Sequence, residues 1–328
     1  MAEERLPFAS LYVGLPTPFD ERGRLDEKAL DHLVDYLVAR EIAGLALLTE
    51  AAEDPVLSPE ERRQIVERVS KRPLGTKACL VAVSAIGTRE AVDLARLAEQ
   101  KGAKGILIAP LSAPGLGYRE LYRHVDRLAR AVQIPSYLTV RPGNAAAQLL
   151  PEELATLAKH EALRGVYLPQ GTPVQIKPWT KRLKGKNGEV FSGCALSFGP
   201  AAKAGATGVI CGLSMLATDA AAKMVATVQK SELDAQKKLE KEVRPAVELL
   251  GPPIPDDEQT GVQRLASKIA QQSLSPTQAS SVPFAMIKEG LKAQGHPIPT
   301  FVRPPYESVA PAEVERLKHV LKSSRLMS

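Results

Sequence analysis

The segment LRGVYLPQ, residues Leu163–Gln170, contains a short apolar run, and such a run predicts a buried strand of a parallel sheet. Seven more runs of this kind recur along the chain. The eight predicted strands are Leu11–Leu15, Gly44–Leu48, Cys79–Val83, Gly105–Ala109, Ser136–Val140, Gly165–Leu168, Glu189–Ser192 and Gly208–Cys211.

Amphipathic helical patterns separate these strands. At Ser58–Glu61 a serine N-cap, a proline at the first helical position and two acidic residues predict a helix start. A strand followed by a helix, repeated eight times, predicts a parallel sheet that closes into a (β/α)8 TIM barrel. The predicted helices include Glu27–Arg40, Pro59–Lys71, Thr88–Lys101, Tyr118–Ala131, Pro151–Lys159 and Ala217–Gln229.

The alternation ends near residue 230, so we expect a barrel over residues 1–230 and a C-terminal helical region over residues 231–328. Segments 251–259 and 273–281 are polar or rich in proline, and they predict loops. The C-terminal helices are predicted at Ser231–Leu250, Gly261–Gln272, Val282–Gln294 and Pro311–Lys322. The predicted fold class is therefore α/β, a TIM barrel with a C-terminal helical extension.

The charges are interleaved along the predicted helices, as in Glu60–Arg63, although the net charge is +6. This pattern predicts a salt-bridged solvent face and argues against a nucleic-acid partner. We see no signal peptide and no apolar run of about 18 residues, so no membrane partner is expected. The three cysteines lack metal-ligand spacing and predict free thiols, which favours a cytoplasmic location.

Longer phrases carry a family resemblance. The chain reads LPTPFDERGRLD at Leu15–Asp26 and GLALLTEAAEDPVLSPEER at Gly44–Arg62. GAKGILIAP, IPSYLTVRP and GATGVICGLS follow at Gly102–Pro110, Ile134–Pro142 and Gly205–Ser214. Together these phrases resemble the dihydrodipicolinate synthase / N-acetylneuraminate lyase family of barrel lyases over essentially the whole chain. The resemblance implies an active site at the carboxyl ends of the strands and a homodimer or homotetramer.

The resemblance also implies a Schiff-base mechanism. The family uses a lysine on strand six to attack a 2-keto acid, a tyrosine on strand five, and a Gly-Thr-Thr-Gly-Glu turn after strand two. Here the lysine position falls on Tyr167, the tyrosine position on Thr139 and the turn on Thr49–Glu53. The family's arginine falls near Asn144, with Arg141 close by. A phenol cannot form a Schiff base and no lysine is predicted at the rim, so we expect this mechanism to be closed to the chain.

The predicted site is built from the other rim residues. Tyr167 could contact a ligand or fill the space of the lysine, and Glu50 could act as a general acid or base or bind a hard cation. Arg141 could bind a carboxylate or phosphate, or pair with Glu50. Glu53 could instead accept hydrogen bonds from loop amides, with Asp54 solvated. The catalytic candidates are Tyr167 and Glu50, and the substrate-binding candidates are Arg141, Thr139, Thr17, Glu53, Ala51 and Ser214.

Two functions stay open, and neither uses a cofactor or a metal. In the first, a divergent homologue binds a small metabolite, such as one with a carboxylate, in the barrel mouth with altered or no catalysis. In the alternative, an active lyase or aldolase acts on a small keto or hydroxy acid through Glu50, Arg141 and Tyr167 without a Schiff base. The combined differences from the family pattern favour the first.

Overall fold

Eight parallel strands form a closed barrel in which each strand pairs with the next and β8 pairs with β1. The computed structural model describes residues 10–85, 87–110, 116–141, 146, 149–183, 188–250 and 284–326. The fold prediction is confirmed. The strands are β1 (Ser10–Gly14), β2 (Gly44–Leu47), β3 (Ala78–Val83), β4 (Gly105–Ile108), β5 (Ser136–Thr139), β6 (Gly165–Leu168), β7 (Glu189–Ser192) and β8 (Gly208–Cys211).

A helix follows each strand and packs around the barrel. The predicted capping box at α2 is present, because the Glu61 amide donates to Ser58 Oγ and the Ser58 amide donates to the Glu61 carboxylate. The barrel helices are α1 (Glu27–Val38), α2 (Pro59–Ser70), α3 (Thr88–Gln100), α4 (Tyr118–Ala129), α5 (Pro151–Ala158), α6 (Pro173–Leu183), α7 (Phe198–Lys203) and α8 (Thr218–Gln229).

Close approach of neighbouring strands requires glycine at two strand starts. A Cβ atom on Gly44 would lie 1.9 Å from the Ala78 carbonyl oxygen, and one on Gly165 would lie 1.9 Å from that of Glu189. Any side chain at either position would therefore push apart two paired strands. Gly165 begins β6, the strand that carries Tyr167 to the barrel mouth.

Four predicted strands extend one residue beyond the observed β1, β2, β4 and β5. At β2 the reason is a change of backbone conformation, because Leu48 has a φ of 57°. This left-handed conformation is costly for a residue with a Cβ atom and ends the extended run. The chain then enters two short 3₁₀ turns, Glu50–Ala52 and Asp54–Val56, which carry the acidic residues of the candidate site.

Beyond the barrel lie α9 (Leu233–Leu250), α10 (Phe284–Ala293) and α11 (Pro311–Ser323). α9 packs against α8 and α11, and Gln294 Nε2 donates to the backbone oxygens of Leu216 and Leu326 at 2.8 and 2.6 Å. The helix predicted at 261–272 and the loops at 251–259 and 273–281 lie outside the described residues. Of the helices that are described, none has the length and apolar character needed to cross a bilayer.

A histidine pair joins α1 to the segment that follows α10. His32 Nε2 and His296 Nδ1 lie 3.0 Å apart, and the His296 ring packs edge-on against Tyr36. Burial, and then the nearby His32 and Arg40, lower the pKa of His296. The charged form of His296 is therefore disfavoured in the folded protein.

Acidification should weaken this junction. Because the folded-state pKa of His296 lies below its value of 6.5 in the unfolded chain, the unfolded state takes up the proton first as pH falls. We expect the free energy of unfolding, measured in urea, to fall between about pH 7.5 and about pH 5.5. The fall should be smaller in His296→Gln and unchanged in His319→Gln. An equally steep fall in His296→Gln would contradict this assignment.

Candidate functional site

A cavity of about 10 Å³ lies at the carboxyl ends of the strands, which is room for about one water molecule. Four of the predicted site residues meet there: Glu50 after β2, Thr139 at the end of β5, Arg141 just beyond it and Tyr167 on β6. The lining residues are Leu48, Thr49, Glu50, Asp54, Ala82, Leu107, Ala109, Thr139, Arg141 and Tyr167. The space is nearly filled by side chains.

The phenol of Tyr167 is held in two directions. The residue is 1% exposed, and its hydroxyl oxygen lies 2.5 Å from Glu50 Oε1 and 3.0 Å from the Ile210 carbonyl oxygen. A phenol has one hydrogen to donate, and a carbonyl has none. The phenol can therefore donate to only one of the two oxygens. Both contacts can be hydrogen bonds at the same time if Glu50 is protonated and donates to Tyr167, while Tyr167 donates to the Ile210 carbonyl oxygen.

The environment of Glu50 agrees with a protonated acid. Removal from water raises its pKa, against the opposing effects of the Arg141 charge and the Tyr167 hydrogen bond. Burial, and then the charge of Glu50, raise the pKa of Tyr167 well above its usual value. Burial therefore favours the neutral form of both groups.

Arg141 pairs with Asp54. Its Nη2 lies 3.3 Å from the Asp54 carboxylate, and its side chain is 20% exposed. Asp54 is buried and also accepts from Ser84 Oγ at 3.2 Å. The alternatives of a solvated Asp54 and of an Arg141–Glu50 ion pair do not describe this geometry, because Asp54 is 1% exposed and its carboxylate is the ion-pair partner of Arg141.

Arg62 is a site residue that the charge pattern of Glu60–Arg63 wrongly predicts on a solvent face. It is 5% exposed, and its guanidinium donates to the Asp54 backbone oxygen and to Ser84 Oγ, both at 2.6 Å. A signal was present. Arg62 precedes Ile65, Val66 and Val69 at helical spacing, so it lies on the buried stripe of α2.

Glu53 lies away from the cavity. It has a left-handed backbone with a φ of 55°, and its carboxylate forms a fully buried ion pair with Lys288 of α10. Lys288 Nζ also donates to the Phe301 backbone oxygen at 2.8 Å, and the Arg303 amide donates to Glu53 at 3.1 Å. The Phe19 ring lies 4.6 Å from the ammonium and 4.1 Å from the Arg303 guanidinium. This geometry is that of a structural hydrogen-bond acceptor, the alternative to substrate binding for Glu53.

Three further predicted residues do not line the cavity. Thr17, Ala51 and Ser214 are buried and are absent from the described lining, and Thr17 Oγ1 donates to the Ala52 backbone oxygen at 2.9 Å. Asn144 lies outside the described residues.

The described residues contain no cluster of three or more histidine, cysteine or acidic side chains that could hold a metal ion. Burial raises the pKa of Cys194 to about 11, so its thiol is uncharged near neutral pH.

One lysine at this end of the barrel, Lys288, comes from the C-terminal region. Of the described residues around the cavity, none is a lysine. The strand ends do not predict Lys288, because α10 delivers this side chain from a position 235 residues after Glu53. Burial lowers the pKa of Lys288, against the opposing effect of Glu53.

Known proteins resemble this chain in sequence and in fold. A model of the dihydrodipicolinate synthetase family matches residues 7–252. A 4-hydroxy-tetrahydrodipicolinate synthase of Pelobacter propionicus is 28% identical over 232 residues, which cover 71% of this chain and 79% of the relative. Its counterpart from Pseudomonas aeruginosa is 31% identical over 185 residues, 56% of this chain and 63% of that protein, less than two thirds of its length.

A solved structure extends the likeness to the whole fold. A prophage protein from E. coli K12, which belongs to the dihydrodipicolinic acid synthase family and was solved in complex with pyruvate, superposes with a TM-score of 0.79. The match covers 97% of this chain and 98% of that one at 20% identity. At this level of identity the likeness concerns the fold alone.

The protonation of Glu50 can be tested through stability. Its folded-state pKa is raised above 4.5, so its favourable contribution is complete at low pH and is lost as pH rises through the raised value. We expect the free energy of unfolding of the wild type, relative to Glu50→Gln, to fall as pH increases above 4.5. Glutamine keeps the size and one hydrogen donor but does not titrate. A difference that is constant or grows with pH would contradict the protonated state.

Proposed function

This chain belongs to the dihydrodipicolinate synthetase family, and we propose that it is a divergent member without Schiff-base chemistry that binds a small carboxylate-bearing metabolite at the barrel mouth. Catalysis there is altered or lost. The observation that carries the proposal is the placement of Tyr167, whose phenol fills the end of β6 and is bonded to Glu50 and Ile210. A phenol cannot form the imine that such a mechanism requires.

Lys288 does not supply the missing amine. It is fully buried, and the Glu53 carboxylate and the Phe301 carbonyl oxygen already engage its ammonium group. A Schiff base needs a neutral, accessible amine that can reach a carbonyl carbon. Extraction of Lys288 from this pair would leave Glu53 as a buried, uncompensated charge.

The charges at the mouth favour an anionic ligand. Arg62 and Arg141 carry two positive charges beside the carboxyl groups of Asp54 and Glu50, and burial raises the pKa of both acids. Protonation of either acid leaves a net positive charge. The partly exposed edge of Arg141 presents the excess charge to solvent. Because the cavity beneath holds about one water molecule, the ligand binds above it, against Arg141.

The alternative is a lyase or aldolase that acts on a keto or hydroxy acid through Glu50, Arg141 and Tyr167. The direct contact between Tyr167 and Glu50 favours it, since a bonded pair can pass a proton. Two observations favour the first proposal instead. The pKa of Tyr167 is raised far from the working range of a proton shuttle, and the cavity is too small for a substrate.

Assembly, domain division and location belong to the proposal as well. We propose a homodimer or homotetramer, a helical region over residues 231–328 distinct from the barrel of residues 1–230, and a cytoplasmic location. Light scattering on the purified protein measures the subunit number directly, and a monomeric mass would contradict the assembly.

Reductive trapping tests the absence of Schiff-base chemistry. Treatment with pyruvate and borohydride should leave the intact mass of this protein unchanged, while the synthase from Pelobacter propionicus serves as a parallel comparison. The variant Lys288→Arg keeps the buried charge and removes the amine. A stable mass gain on any lysine of the wild type contradicts the proposal, and its loss in Lys288→Arg identifies the nucleophile.

The role of Arg141 is testable by calorimetry with pyruvate as the carboxylate probe. Loss of a charge-assisted contact should weaken binding about tenfold in Arg141→Gln. The matched control Arg96→Gln changes an exposed arginine on α3 and should bind as the wild type does. Equal affinities for the two variants would refute an anion site at Arg141.

Turnover screens separate the two functions. Tyr167→Phe and Glu50→Gln are compared with the wild type on the same metabolites. Ligand stabilisation without turnover supports the binding function, and turnover that both variants lose supports the alternative.

A further inference from the structure

The cavity at the barrel mouth is bordered by groups of opposite hydrogen-bonding character. Among the described residues that line it, Glu50 and Arg141 are partly exposed and the other eight are buried. A ligand in solvent therefore reaches the cavity past a guanidinium group and a carboxyl group. The guanidinium group can only donate hydrogen bonds, whereas the oxygens of a carboxylate can only accept them.

Glu50 has an oxygen left to accept a hydrogen bond from a ligand. Its Oε1 atom lies 2.5 Å from the Tyr167 hydroxyl oxygen. If Glu50 is protonated at Oε1 and donates to Tyr167, Oε2 is a carbonyl oxygen, and if Glu50 is ionised, Oε2 is a carboxylate oxygen. In both states Oε2 accepts and does not donate. A ligand group that bonds to this oxygen must therefore carry a hydrogen.

Asp54 adds a second acceptor beside the guanidinium group. It lines the same cavity, and its Oδ1 and Oδ2 atoms lie 3.5 and 3.3 Å from Arg141 Nη2. Both distances are longer than the roughly 2.7–2.9 Å of a tight charge-assisted hydrogen bond. Asp54 therefore leaves Arg141 able to bind a carboxylate through its exposed edge.

The size of the cavity limits what a ligand can place in it. Its volume of about 10 Å³ holds about one water molecule, and a hydroxyl or ammonium group has a similar size. A keto oxygen is equally small, but it only accepts hydrogen bonds and would face the oxygens of Glu50 and Asp54. Because Arg141 and Asp54 are in direct contact, a ligand that meets both must carry its carboxylate and its donor on neighbouring carbons.

We propose that the barrel mouth selects a carboxylate that bears a hydrogen-bond donor, a hydroxyl or an ammonium group, on the adjacent carbon; this rests on the proposed function, in which Arg141 holds the carboxylate. The donor enters the water-sized cavity and bonds to Glu50, and Asp54 is the second acceptor. Glu50 is then a specificity-determining residue. The site prefers 2-hydroxy or 2-amino acids to the 2-keto acids that Schiff-base chemistry uses.

Calorimetry with four acids of similar size tests this preference. On the carbon next to the carboxylate, lactate carries a hydroxyl group, alanine an ammonium group, pyruvate a keto oxygen and propionate no polar group. With both enantiomers tried, we expect lactate or alanine to bind about tenfold tighter than pyruvate and propionate, as one added hydrogen bond provides. Tighter binding of lactate assigns the donor to a hydroxyl group, and tighter binding of alanine assigns it to an ammonium group. Equal affinities, or pyruvate as the tightest ligand, would overturn the proposal.

A variant of Glu50 tests its part in the selection. Glu50→Met removes both carboxyl oxygens and keeps an unbranched side chain, so the preference for lactate or alanine over propionate should fall about tenfold. The matched control Glu41→Met changes an exposed acid just before β2, at the other end of the barrel, and should keep the preference. A preference that survives in Glu50→Met contradicts the role of Glu50. If that variant does not fold, the comparison of the four acids in the wild type decides.

Arg141→Gln separates this selection from the anion site on which it depends. The variant should weaken the binding of all four acids alike, because each of them has a carboxylate. If the four acids bind equally well to the wild type and to Arg141→Gln, or do not bind to the wild type, the anion site itself is wrong. If Arg141→Gln weakens all four but the wild type does not prefer lactate or alanine, the anion site stands and the selection for a donor is wrong.

Discussion

The hydroxyl of Tyr167 is the contact on which the barrel mouth depends. It connects β6 to the turn after β2 through Glu50 and to β8 through the Ile210 carbonyl oxygen, so three parts of the barrel converge on one atom. The ring fills the space beneath and leaves a cavity the size of a water molecule. Burial raises the pKa of both partners, and the contact between them adds to the rise at Tyr167 but opposes it at Glu50. The base of the mouth is therefore polar, and the cavity there is too small to hold a keto acid.

The turn after β2 at the barrel rim is anchored by contacts with the C-terminal region. Glu53 and Lys288 form a fully buried ion pair, and the Phe19 ring contacts both Lys288 and Arg303. Such a pair contributes little net stability by itself, but removal of one partner costs about 3–5 kcal/mol because the other charge is left in the interior. The strained left-handed backbone at Glu53 is therefore fixed by α10 and by the chain around Arg303. The acidic turn after β2, with Glu50 and Asp54, takes its shape from this anchor.

The fold was predictable because apolar runs separated by helical patterns report the barrel directly, and all eight strands were located. The ends of the strands were less predictable, because a leucine in the sequence gives no sign that its backbone is left-handed, as it is at Leu48. Tyr167, Glu50, Thr139 and Arg141 were expected together because the carboxyl ends of parallel strands meet. Lys288 was not, because its contact with Glu53 joins positions far apart in sequence. The charge of Arg62 predicts a solvated position on its helix, although its spacing to Ile65 marks the buried face.

We propose that the phenol of Tyr167 replaces a reactive amine and fills the base of the barrel mouth. A crystal structure of the protein soaked in pyruvate tests this proposal most directly. We expect Tyr167 to keep its contacts to Glu50 and Ile210, no lysine to carry an imine, and any bound pyruvate to lie above the cavity against Arg141. Continuous density between pyruvate and a lysine, or a Tyr167 ring turned out of an opened pocket, would contradict it.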